Sequence, residues 1–355
     1  MSLSATNIKV SRDDVRWEAE VKADILPEAI ARYRDEALKE LQKDAKIDGF
    51  RPGKAPVDRI VQMYGEPAIV RLTAERAIQN ELPEILATEK LLIVETPRVQ
   101  SAAPETGEPL SFTARAGLAP EVKLPDWKPL AKKHNEKKEE VTISDQEHTE
   151  ALTYLKRERA RIEKMQTGME ARAAAEAARA IAEGELPPLN DAFAQSIGYE
   201  SADKFTDAVR VNMKSEKEAR AREAKRTAIL DDILKGSTIH YPAMLREYEL
   251  EDMEGRINED LQRMGSSFEN YMVEVKKTRE QLRKEWEDPA DKRAKIRLIL
   301  TEIARQENVA VDESKLAQEF ERAKKMYPDT NERNLHAGIA HALRNEKVME
   351  LLEGQ

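Results

Sequence analysis

Residues 47–56 read Ile47-Asp48-Gly49-Phe50-Arg51-Pro52-Gly53-Lys54-Ala55-Pro56, a turn-rich interruption between two helical patterns. Two glycines and two prolines this close together cannot continue a helix. Pro52-Gly53 suits the two central positions of a type II turn. Such a turn pushes Phe50, Arg51 and Lys54 outward. A Phe presented beside two cations at a loop tip is costly to leave in water and needs a partner.

Working outward, Pro27 is tolerated in a first helical turn, and Ile30, Ala37, Leu38, Leu41 and Ala45 recur at helical spacing to about Lys46. Before it, Ile8 and Val10 alternate, and Val15, Trp17, Ala19, Val21 and Ala23 alternate with charged residues, which predicts an antiparallel hairpin. After the turn, Pro56 starts a helix through Ile60 and Tyr64, and a longer one runs from Pro67 through Leu86, with Pro83 either kinking it or opening a new turn. Leu91–Val94 and Ser111–Leu118 read as strands joined by the Pro/Gly/Glu-rich connection 101–109. The order strands, helices, strands predicts an α+β domain over residues 1–118, a small antiparallel sheet with its helices on one face.

Pro120, Pro125 and Pro129 then predict an extended exit that ends in the charged run 132–140. From Thr142 the pattern is helical. Ser144-Asp145-Gln146-Glu147 is a capping-box signature, and Ala171–Ala182 is an Ala/Arg/Glu spacer or helix extension. Residues 119–186 therefore form a linker segment. Beyond it, 187–355 is expected to be an extended all-α domain with long helical arms over about 202–234, 242–262, 278–307, 312–326 and 331–352. A helix over 202–234 spans about 50 Å.

The net charge of −9 argues against a general nucleic-acid binder and leaves only a local basic patch to meet phosphate. Absence of cysteine removes disulfides and thiol chemistry and fits a reducing cytoplasm. Residues 1–20 hold no apolar run of signal-peptide length, and no stretch approaches the ~20 apolar residues of a membrane span. A soluble cytoplasmic protein with no DNA or membrane partner is expected. His336 and His341 stand roughly 140° apart around a helix, so no metal site is expected. Gly49–Lys54 fails as a phosphate loop, because the glycine spacing is too short and Ala55 follows the lysine. No catalytic constellation and no cofactor site emerges.

Gly49-Phe50-Arg51-Pro52-Gly53-Lys54-Ala55-Pro56, with Tyr64-Gly65 after the next short helix, closely resembles the ribosome-docking signature of the bacterial trigger factor family, G-F-R-x-G-K-x-P then Y-G. Glu185-Leu186-Pro187 resembles that family's re-entry into its helical domain. The resemblance implies an ATP-independent, ribosome-associated holdase. Its partners would be a ribosomal protein and rRNA at the exit tunnel, nascent and unfolded polypeptides, and a second copy of itself off the ribosome. Gly49, Phe50, Arg51, Pro52, Gly53 and Lys54 would dock. Family members usually carry an FKBP-type prolyl isomerase domain before the re-entry; here residues 165–185 are mostly Ala, Glu and Arg with no aromatic, too little for a strand-lined pocket. Absence of isomerase activity is expected.

Met253, Met264, Tyr271, Met272, Met326 and Tyr327 are the candidate client contacts, Met being adaptable to many shapes. Against this stands the reading that each packs helix against helix. Two other functions remain open: a helical scaffold or adaptor for one fixed partner, and an extracytoplasmic chaperone of similar layout.

Overall fold

The computed structural model describes residues 3–45, 50–51, 53–102, 107–136, 141–328 and 330–355. In chain order, β1 (Ala5–Asp13) and β2 (Glu18–Ile25) lead to α1 (Pro27–Asp44), α2 (Val57–Tyr64) and α3 (Glu66–Thr88), then β3 (Arg98–Ser101), β4 (Leu110–Gly117) and β5 (Glu121–Lys123). Helices follow as α4 (Trp127–Asn135), α5 (Asp145–Gln166), α6 (Ala171–Arg179), α7 (Asp191–Ser196) and α8 (Ala202–Gly236). After β6 (Thr238–His240) come α9 (Ala243–Arg263), α10 (Phe268–Val275), α11 (Arg279–Gln306), α12 (Glu313–Met326) and α13 (Glu332–Glu353). Packing divides the chain into one unit of Met1–Pro125 with Gly236–Val309 and another of Asp126–Lys235 with Ala310–Gln355.

In the first unit, strict alternation along β2 sends Ala19, Val21, Ala23 and Ile25 inward and Glu18, Glu20, Lys22 and Asp24 outward. β4 does the same with Leu110, Phe112, Ala114 and Ala116. The strands order as β1-β2-β4-β3, all antiparallel. Their inner face meets Tyr33 of α1 and Ala77, Ile78, Leu82 and Ile85 of α3 in one core. Alanines on the central strands let the helices lie close. The outer face is polar and held by charge, with Lys22 and Arg115 on Glu20 and Arg98 on Glu18. Glu81, a carboxylate buried in this core, accepts from Tyr33 Oη at 2.7 Å and from the Ser4 amide at 2.9 Å, so its burial is compensated.

The same unit gathers in the later stretch. β5 pairs antiparallel with β6. Trp17 stacks on His240, with ring centroids 4.7 Å apart, and its Nε1 donates to Ala119 O. A Cβ on Gly117 would stand 2.7 Å from Pro242 Cβ, so only glycine fits that approach. From this root α9 and α11 pack on each other. Arg293 and Arg297 converge on the buried carboxylate of Glu249, and Arg279 and Arg283 on Glu254. Farther along, Leu261, Phe268 and Leu282 close a small cluster with Tyr271, Met272 and Trp286 around it.

In the second unit, α4 packs on α13, burying Trp127 and Ala131, and Asn135 Nδ2 donates to Leu352 O. Arg226 of α8 is clasped by Glu346 and Glu353 of α13. The Ala-rich stretch forms α6, which packs on α5 through Ala160, Ala174 and Ala178. Arg157 donates to the carbonyls of Ala178, Arg179 and Ile181, satisfying the end of α6.

Four expectations change. Residues 127–135 are helix rather than extended exit, because Pro129 falls in the first turn of α4, where its missing N–H has no intrahelical acceptor to lose. The last residues of the charged run, 137–140, lie outside the described residues. Leu91–Val94 contributes one bridge, Ile93 to Leu118, while the edge strand is Arg98–Ser101. β2 begins at Glu18, leaving Val15 in the turn and 95% exposed. The helical region also holds β6 and the short α10.

Candidate functional site

The candidate loop leaves and re-enters the fold at two buried alanines. Ala45 caps α1, and Ala55 packs with it, Leu38, Ile60 and Ile69 in a second small core. Between them, Gly49 and Pro52 lie outside the described residues. Gly53 has φ +78° and its amide donates to Gln42 O; the Lys54 amide donates to Arg51 O at 3.0 Å. That bond across four residues, with positive φ at the third, fits the turn that the Pro-Gly pair predicts. Pro56 caps α2, and Gly65, at φ +79° and ψ 149°, joins α2 to α3 in a conformation closed to other residues. Tyr64 packs beside the small core. Thus the Tyr-Gly pair sets where α3 begins relative to the loop.

Phe50 is 42% exposed, and Arg51 and Lys54 are exposed. Among the described residues neither cation makes an ion pair. The turn thus offers an apolar ring flanked by two uncommitted positive charges.

The six candidate client residues are divided between the two units. Met253, Met264, Tyr271 and Met272 belong to the first unit and Met326 and Tyr327 to the second. Met264 is 74% exposed, Met326 72% and Tyr327 55%; Tyr271 and Met272 are half-buried against the Leu261–Phe268–Leu282 cluster, and Met253 is half-buried on α9. Sequence reasoning missed Val273, 77% exposed. The signal was there: Phe268, Tyr271, Met272 and Val275 make one helical stripe, and Val273 falls off it.

Among the described residues no three His, Asp or Glu side chains converge as metal ligands. His336 stacks edge-on against Phe320, while His341 pairs with Asn345. Among the described residues no helix is long and apolar enough to cross a membrane.

The architecture combines a small antiparallel α+β domain with a set of long helices. A solved structure of the trigger factor chaperone, described for promiscuous substrate recognition in folding and assembly activities, superposes with a TM-score of 0.52 over 99% of this chain and 100% of that one. At 16% identity this likeness speaks for the fold alone. Residues 6–155 match the family described as bacterial trigger factor protein (TF), and residues 201–353 match its C-terminus. The chain belongs to the trigger factor family. Among its relatives are the trigger factors of Caldicellulosiruptor saccharolyticus, 23% identical over 87% of this chain and 86% of that protein, and of Thermus thermophilus, 25% identical over 86% and 88%. Between the two matched segments lie α6 and α7, and residues 156–200 contain no strand among those described.

Proposed function

We propose that this chain is an ATP-independent, ribosome-associated holdase that docks near the exit tunnel through residues 49–54 and shelters nascent or unfolded chains without prolyl isomerase activity. The observation that carries the reading is Phe50, 42% exposed on a turn whose base is anchored in a buried cluster. Phe50 buries against a ribosomal protein or stacks on a base, while Arg51 and Lys54 meet rRNA phosphate or acidic side chains. Residues 1–118 then serve docking and 187–355 client contact, with 119–186 connecting them. Exposed Met264, Met326 and Tyr327 and half-buried Met253, Tyr271 and Met272 offer scattered apolar contacts whose polar surroundings keep client binding reversible. The site of action is the cytoplasm, and self-association is expected off the ribosome. The absent isomerase activity is supported by the helical segment 145–196, where no aromatic-lined sheet stands among the described residues.

Ribosome co-sedimentation of a Phe50→Ala, Arg51→Ala, Lys54→Ala variant tests the docking assignment. Loss of pelleting is expected; pelleting equal to the parent protein refutes it. Aggregation suppression of unrelated unfolded proteins tests the holdase, and a protease-coupled prolyl isomerisation assay at the uncatalysed rate is expected for the rest.

A further inference from the structure

Gln42, on the last turns of α1, holds the docking turn at two points. Its carbonyl accepts from the Gly53 amide at 3.0 Å, and its side-chain Nε2 donates to Ala55 O at 2.5 Å. These bonds flank Lys54, whose own amide closes the turn on Arg51. The chain re-entering from the turn is therefore fixed to a helix rather than to neighbouring loop atoms. Gln42 is half-buried, and its helix is secured in turn by Leu38 and Ala45 in the cluster that holds Ala55.

We propose that Gln42 is a positioning residue for docking: it touches no partner, but holds Gly53 and Ala55 on either side of Lys54, and so keeps Lys54 on Arg51 where Phe50 is presented. This rests on the docking reading above. A presented apolar ring gains affinity when its loop is ordered before binding, because the ordering entropy is then not charged against association. Removing the side-chain donor leaves Ala55 O without that bond and lets the turn sample other conformations, so fewer molecules hold Phe50 ready.

Gln42→Met is the test variant, since it keeps size, neutrality and helix preference while deleting the donor. Three readouts apply to the full chain. Amide hydrogen exchange at Gly53 and Lys54 is expected to accelerate without ribosomes present. Ribosome affinity is expected to fall by about three- to tenfold at a temperature where both proteins are fully folded. In a Phe50→Ala background the same substitution is expected to cost clearly less, because the two act through one presented ring. Unchanged exchange, an equal loss in both backgrounds, or a loss that simply follows a lowered melting temperature each overturns the proposal. Affinity equal to the parent, while the triple alanine variant fails to pellet, overturns it and leaves the docking reading intact. If the triple variant pellets normally, the docking reading fails and this inference falls with it.

Discussion

At the scale of single residues, Phe50 and its flanking cations make separable contributions. Burying one Phe side chain is worth roughly 1.5–3 kcal/mol, so Phe50→Ala is expected to weaken ribosome binding by about ten- to a hundredfold, with little dependence on salt. Arg51→Ala or Lys54→Ala removes a screened charge interaction, so its effect should be largest at low ionic strength and shrink as salt rises. A titration of co-sedimentation against salt separates the two; parallel salt dependence for all three variants contradicts this division. Gly65 makes a different demand. At φ +79° and ψ 149° a side chain is strained whatever the space around it, so Gly65→Ala should cost about 1–3 kcal/mol, read as a lower melting temperature. The exposure of Phe50, Arg51 and Lys54 and the positive φ of Gly53 were legible from sequence because they follow from local turn chemistry. Gln42 was not, since its role depends on where the chain returns at Ala55.

At the scale of elements, α5 begins with the reciprocal cap its sequence spells. The Glu147 amide donates to Ser144 Oγ, and Glu147 Oε2 accepts from the Ser144 amide at 2.9 Å. Ser144→Ala is expected to cost about 1 kcal/mol, measurable by thermal unfolding. The hydrogen bond from Lys217, with those from Ser144, holds the Glu147 carboxyl at about 2 against a usual 4.5. A lowered native value means the contribution is complete above pH 4.5 and is lost as pH falls from there toward 2. Protection factors at the start of α5, with the intrinsic pH dependence of exchange divided out, should fall over that window, and Glu147→Gln should flatten the dependence; equal profiles for both proteins contradict the assignment. Signals of this local kind made most elements readable, and the long helices begin and end close to where caps, Pro and Gly place them. α4 is hidden in the sequence because Pro129 looks like a breaker, whereas it occupies the first turn of the helix. β3 was misplaced because Arg98–Ser101 is exposed along its whole length and shows no apolar alternation. β5 and β6 were invisible: three residues each, they exist only because segments distant in sequence meet.

At the scale of the whole molecule, neither unit is one continuous stretch, so each must be closed by residues made late. In the second unit α4, α8 and α13 meet. Asn135 bonds Leu352 O across 217 positions, His134 lies 2.9 Å from Asp232, and Arg222 and Arg226 grip Glu353. Ile229, Ile233, Val348 and Leu352 of α8 and α13 are fully buried. Three helices that depend on one another for burial should open as one, despite their separation in sequence. The hydrogen bond from Arg222, with Arg226 adding to it, holds the Glu353 carboxyl at about 2 instead of 4.5. Its stabilisation is therefore fully present above pH 4.5 and is lost as pH falls through 4.5 toward 2. Glu353→Gln removes the charge but keeps the shape, and should cost about 2 kcal/mol at neutral pH while leaving less acid dependence. In native-state hydrogen exchange, peptides from α4, the end of α8 and α13 should lose protection together and by the same amount. If α13 alone exchanges faster while α4 keeps its protection, the C-terminal helix is an accessory that frays by itself. Coincident loss would instead mean that this unit cannot finish folding until the last residues of α13 have docked.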